Sequence, residues 1–64
     1  MFDVRDETTN TKITQMVTLT GALRQAQIVS RRRPDHKITV RVRTDSNEYK
    51  MLIELVNGQR IDKH

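Results

Sequence analysis

From Ile38 to Thr44 the chain reads Ile-Thr-Val-Arg-Val-Arg-Thr, apolar β-branched residues alternating without a break with threonine or arginine. A period of two is satisfied by a strand that buries one face and wets the other. One such strand has no stability alone, so the rest of the chain must supply both a pairing strand and a cover for the apolar face. The means are limited: the chain has 64 residues and no cysteine. A chain of that length buries only about 60% of the surface its unfolded state exposes. No disulfide supplements the core, which leaves packing within one domain spanning residues 1–64, or a partner chain, to stabilise it.

The cover is found upstream. Leu19, Ala22, Leu23, Ala26 and Val29 recur at helical spacing and predict a helix over about Leu19 to Arg32, capped by Thr18 or Thr20. Ile28 falls outside that stripe. Arg31, Arg32 and Arg33 suit the negative end of the helix dipole, and Pro34 ends the helix by Arg33. Before the helix, Phe2 and Val4 alternate with Asp3 and Arg5 as a strand, followed by polar turn residues and a second strand between Lys12 and Leu19.

Two readings compete for Glu48 to Val56. As a helix it carries a stripe of Tyr49, Leu52, Ile53 and Val56, closed by Gly58. As a strand it sets Val42 against Met51, Val40 against Ile53 and Ile38 against Leu55, so that two apolar faces coincide, and this hairpin is favoured. Asn57-Gly58 then turns the chain into a short final strand at Gln59-Arg60-Ile61. The expected architecture is an α+β fold, a small antiparallel sheet of three or four strands in a ββαββ-like order packed against one helix. Its core is Ile38, Val40, Val42, Met51, Ile53 and Leu55 against Leu19, Leu23, Ala26 and Val29. Leu52 and Val56 are left on the opposite face, where the N-terminal strand or a second chain must cover them; they are the expected homodimer interface.

The net charge of +4 is distributed unevenly. Residues 24 to 43 hold Arg24, Arg31, Arg32, Arg33, Lys37, Arg41 and Arg43 against Asp35 alone, while the segments on either side are each slightly acidic. Arg31, Arg32, Arg33, Lys37, Arg41 and Arg43 are therefore the expected contact surface for a polyanion. Two aromatic residues, Phe2 and Tyr49, are too few for a base-stacking platform.

Nothing in the sequence assembles a catalytic or metal site. His36 lies beside a turn and His64 at the end of the sequence, and both read as solvated surface residues; Ser30 and Ser46 lack nucleophile-elbow glycines. No cofactor is expected, and no apolar run approaches a membrane span. The acidic start Met1 to Glu7 is unlike a signal peptide, which makes a cytoplasmic location the expectation.

Lys37-Ile38-Thr39-Val40-Arg41-Val42 resembles the N-terminal strand of ribbon-helix-helix repressors, whose paired strands enter the DNA major groove with alternate side chains. Tyr49 to Gly58 would then stand for that family's first helix. The likeness stops there, since six residues follow Gly58 where the family has a second helix, and thirty-six precede the strand. In size and economy the chain is also similar to small phage-encoded accessory proteins.

These features point to a small basic binding protein, not an enzyme, that contacts a nucleic-acid backbone. A modulator or inhibitor that engages an acidic protein through the same surface, or pairs with one along a sheet edge, is the alternative. A homo-oligomeric structural subunit is the third reading.

Overall fold

The computed structural model describes residues 1–61. The elements run β1 (Phe2–Asp6), β2 (Thr11–Met16), α1 (Leu19–Arg32), β3 (Lys37–Arg43), β4 (Tyr49–Val56) and β5 (Gln59–Arg60). One helix packs on a sheet of order β2-β1-β3-β4-β5, antiparallel throughout. The α+β class is as expected, but the sheet has five strands and not three or four. The fifth forms because Asn57 and Gly58 both take positive φ, at 53° and 76°, the geometry of a two-residue hairpin turn. Segment 49–56 is a strand, so the likeness to a ribbon-helix-helix first helix does not extend to it.

Helix α1 runs over the predicted residues, and the cap is Thr18, whose Oγ1 accepts from the Gly21 amide at 3.1 Å. Its stripe of Ala22 and Ala26 is fully buried, and these small side chains let the helix lie close against the sheet. Beneath them Val4, Ile38, Val40, Ile53 and Leu55 complete the core, flanked by Phe2, Ile13, Met16, Leu23, Val29 and Leu52. Ser30 is also fully buried in the stripe, satisfied because its hydroxyl accepts the Gly58 amide at 2.8 Å. That bond ties the last turn of α1 to the β4–β5 turn. Leu19, expected in the core, stays 42% exposed at the start of the helix.

β1 is an interior strand that pairs on both sides, with Phe2, Val4 and Asp6 opposite Val42, Val40 and Ile38 on the helix-facing side. Two bulges then decide which residues face which way. Between β1 and β2 the register steps from Val4↔Thr14 to Arg5↔Lys12, leaving Ile13 as the extra residue. Between β3 and β4 it steps from Val40↔Ile53 to Arg41↔Met51, leaving Leu52 as the extra residue.

The second bulge corrects the expected hairpin. Ile38↔Leu55 and Val40↔Ile53 form as predicted, but Val42 pairs with Lys50 and not Met51. An extra residue reverses the inside-outside alternation beyond it. Tyr49 and Met51 therefore move to the open face, 45% and 47% exposed, and Leu52 turns inward against the core. The expected Leu52 and Val56 surface pair is not formed: Leu52 is committed to packing inside the monomer, and Val56 stays half-buried opposite Lys37 and Gln59.

The bulge predicts a contrast between two β4 residues that a regular hairpin would treat alike. Leu55→Ala should destabilise by about 3 kcal/mol, as cavities in small cores do, and Met51→Ala by no more than about 0.5 kcal/mol, as for surface positions. Urea unfolding of both variants measures the difference; equal losses would mean that Met51 is a core residue.

Candidate functional site

The sheet separates the basic side chains into two groups. One lies on and after the last turn of α1, the other on the open face of the sheet.

At the helix end the organising group is Asp6, the last residue of β1 and fully buried. Its Oδ1 accepts the amides of Thr8 (3.0 Å) and Thr9 (3.2 Å), which forms the β1–β2 turn. Its Oδ2 accepts from Arg33 Nη1 (2.8 Å) and His36 Nδ1 (2.7 Å). Burial by itself pushes this carboxyl up. The hydrogen bonds from His36, Arg33 and the Thr9 amide outweigh that and hold it well below the usual carboxylate range. Being charged, Asp6 only accepts, so the His36 proton resides on Nδ1. The expectation that His36 is a free surface residue is corrected: it locks the α1–β3 connection to β1. His64 lies outside the described residues.

The other predicted cations divide by whether a carboxylate holds them. Arg33 is held by Asp6, Lys37 by Glu54 (3.5 Å) and Arg41 by Glu7 (3.0 Å). Arg43 donates to the Tyr49 hydroxyl at 2.7 Å and lies 5.2 Å from the centre of that ring. Arg31 and Arg32 are exposed and pair with nothing among the described residues. Arg24, exposed and equally unpaired, lies seven residues before Arg31, two turns back and about 10 Å along the axis. The helix has no acidic residue to neutralise them. Ile28, 42% exposed, sits among them on the outer surface.

On the open face, register brings Asp3 opposite Arg41 and Gln15, and Arg5 opposite Lys12 and Thr39. Asp3, Arg5, Lys12, Arg41 and Tyr49 line a pocket of ≈ 120 Å³. Asp3 is only 3% exposed, yet its Oδ1 accepts no hydrogen bond among the described residues, and the nearest cation, Lys12, stands 3.9 Å away. The six expected contact residues thus do not form one surface: the helix triplet and the strand arginines lie on opposite sides of the sheet. Sequence reading missed Asp3 and Asp6, because what marks them is a neighbour thirty or more residues away.

Among the described residues no group of three or more His, Cys, Asp or Glu side chains is placed to hold a metal ion. No helix of the described residues is long and apolar enough to cross a membrane. Comparison with known protein families, curated proteins and solved structures finds no match.

Asp6 carries a pH prediction with a definite sign. Its folded-state pKa is depressed, so its stabilisation is fully present above the unfolded value near 4 and is lost as pH falls below it. Asp6→Ala should cost about 2 kcal/mol at pH 7, because it removes charge-assisted hydrogen bonds to a buried carboxylate while Arg33 and His36 stay partly exposed to water. Thermal or urea melts of both proteins should converge from pH 4 toward pH 2, and a gap that stays constant over that range would contradict the assignment.

Proposed function

We propose that the protein is a binding protein, not an enzyme, that contacts nucleic-acid phosphates through the outer surface of α1. The observation that carries this reading is the sorting of its cations. Arg33, Lys37 and Arg41 are held by Asp6, Glu54 and Glu7, and Arg43 by the Tyr49 hydroxyl, whereas Arg24, Arg31 and Arg32 remain unpaired on an acid-free helix. A cation without an internal partner is available to displace counterions from a phosphate backbone, and paired ones must first give up a bond. Arg24, Arg31 and Arg32 are then the centre of the contact, with Arg33 orienting that end of the helix through Asp6, while Lys37, Arg41 and Arg43 lie on the other face of the sheet and take no part in it. The protein would act in the cytoplasm.

Three phosphate contacts give a salt slope of about −2.7 for duplex DNA, or about 40-fold weaker binding between 50 and 200 mM salt. Fluorescence anisotropy on a labelled duplex should show that slope, and the combined Arg24→Ala, Arg31→Ala, Arg32→Ala variant should lose nearly all of it. A flat salt response, or undiminished binding by the variant, would count against the reading. Ile28 is the observation that favours an acidic protein partner instead, since an exposed aliphatic side chain contributes nothing to a phosphate contact. Ile28→Ser should leave duplex binding unchanged, while weakening any protein partner recovered after nuclease treatment.

A further inference from the structure

The pocket on the open sheet face combines parts that a surface salt-bridge cluster does not. Its single acid, Asp3, has a side chain only 5% exposed, with an Oδ1 that receives no donor from the described residues. Around it stand Arg5, Lys12 and Arg41. Lys12 is too far for a hydrogen bond at 3.9 Å, Arg5 donates through Nη2 to Asn10 and stands 3.5 Å from Glu7 through Nε, and Arg41 Nη2 is ion-paired with Glu7 at 3.0 Å. The Nε groups of both arginines are buried and make no hydrogen bond among the described residues, that of Arg5 having only its ion pair with Glu7. A buried carboxylate is an acceptor only, and leaving it without a donor is costly. The pocket therefore sets three cations, two of them shared with Glu7, around one acceptor that has no donor.

A plain cation is excluded by the three positive groups. A fully deprotonated anion is drawn in by them but meets the Asp3 carboxylate with a lone pair against a lone pair. The ligand that satisfies both sides is an oxyanion that has kept a proton. We propose that this pocket binds hydrogen phosphate, free or as the monoanion of a phosphomonoester, with Arg5, Lys12 and Arg41 donating to its oxygens and Asp3 accepting its remaining O–H. A site built to accept a ligand's O–H rejects an analogue that lacks it, because its own polar group is then left unpaired. Sulfate, which has the same shape, and the phosphodiester of a nucleic-acid backbone both lack that proton. The site is thus distinct from the α1 arginines in both position and selectivity, and does not depend on the proposed contact there.

Titration of the full chain with inorganic phosphate and, separately, sodium sulfate at pH 8 and matched ionic strength tests this directly, read by amide NMR shifts and calorimetry. Phosphate should bind at least tenfold more tightly than sulfate and shift the amides of Asp3, Arg5 and Arg41. Asp3→Asn, which can donate as well as accept, should bring the ratio close to one. Because that variant replaces a buried residue, the wild-type ratio is the primary result and stands without it. Phenyl phosphate separates the two sources: it should bind at pH 5 and be lost by pH 8, since its second proton leaves near pH 6. If it fails at pH 5 while inorganic phosphate binds, the ligand is the free anion. Phosphate binding should survive in the variant lacking Arg24, Arg31 and Arg32. Equal affinity for phosphate and sulfate, no binding of either at millimolar concentration, or loss of phosphate binding in that helix variant would overturn the proposal.

Discussion

A single buried carboxylate joins three segments that are far apart in the chain. Asp6 terminates β1, shapes the β1–β2 turn through the amides of Thr8 and Thr9, and holds Arg33 and His36 from the far end of α1. Taking a charge out of water is unfavourable, and this one is tolerated because both oxygens are filled by donors. Remove any of those donors and the cost of burial returns. The position of α1 over the sheet is consequently fixed at both ends of its last turn, by Asp6 on one side and by the Ser30 hydroxyl holding the Gly58 amide on the other. For a core of seven buried apolar residues, two of them alanine, such polar ties supply the orientation that bulk alone does not.

The same anchoring governs which charges remain available. Arg33 belongs to the most basic run in the chain, but its guanidinium is spent on Asp6 and is not free for a ligand. Glu7, the next residue after Asp6, takes Arg41 and accepts the Thr39 hydroxyl. The acidic N-terminal segment thus neutralises part of the basic central segment. What is left over is found where no acid reaches, on the outer surface of α1. The half-exposed pair of Arg41 with Glu7 contributes little to stability, so its main effect here is to decide which cations are unengaged.

The bulge at Leu52 has the opposite character, a backbone irregularity with consequences for both faces. Without it Tyr49 and Met51 would lie under the helix and Leu52 would face outward. With it, Leu52 seals the edge of the core and Tyr49 becomes a wall of the open-face pocket beside Asp3 and Arg41. One extra residue therefore turns Leu52 toward the core and Tyr49 and Met51 to the open face.

Local pattern was enough to read the bounds of α1, the alternation of β3, the turn at Asn57-Gly58 and the outer half of the β3–β4 register, because each depends on residues adjacent or a few positions apart. The concentration of positive charge between residues 24 and 43 is likewise a property of the sequence itself. Which of those charges stay free, the interior place of β1 between β2 and β3, the bulges and the pocket around Asp3 were decided only in three dimensions. Each depends on which strand lies beside β1, and β3 comes to lie there only after β2 and the whole of α1 have intervened. A carboxylate's partners are set by that long-range pairing, and periodicity along the chain holds no record of it.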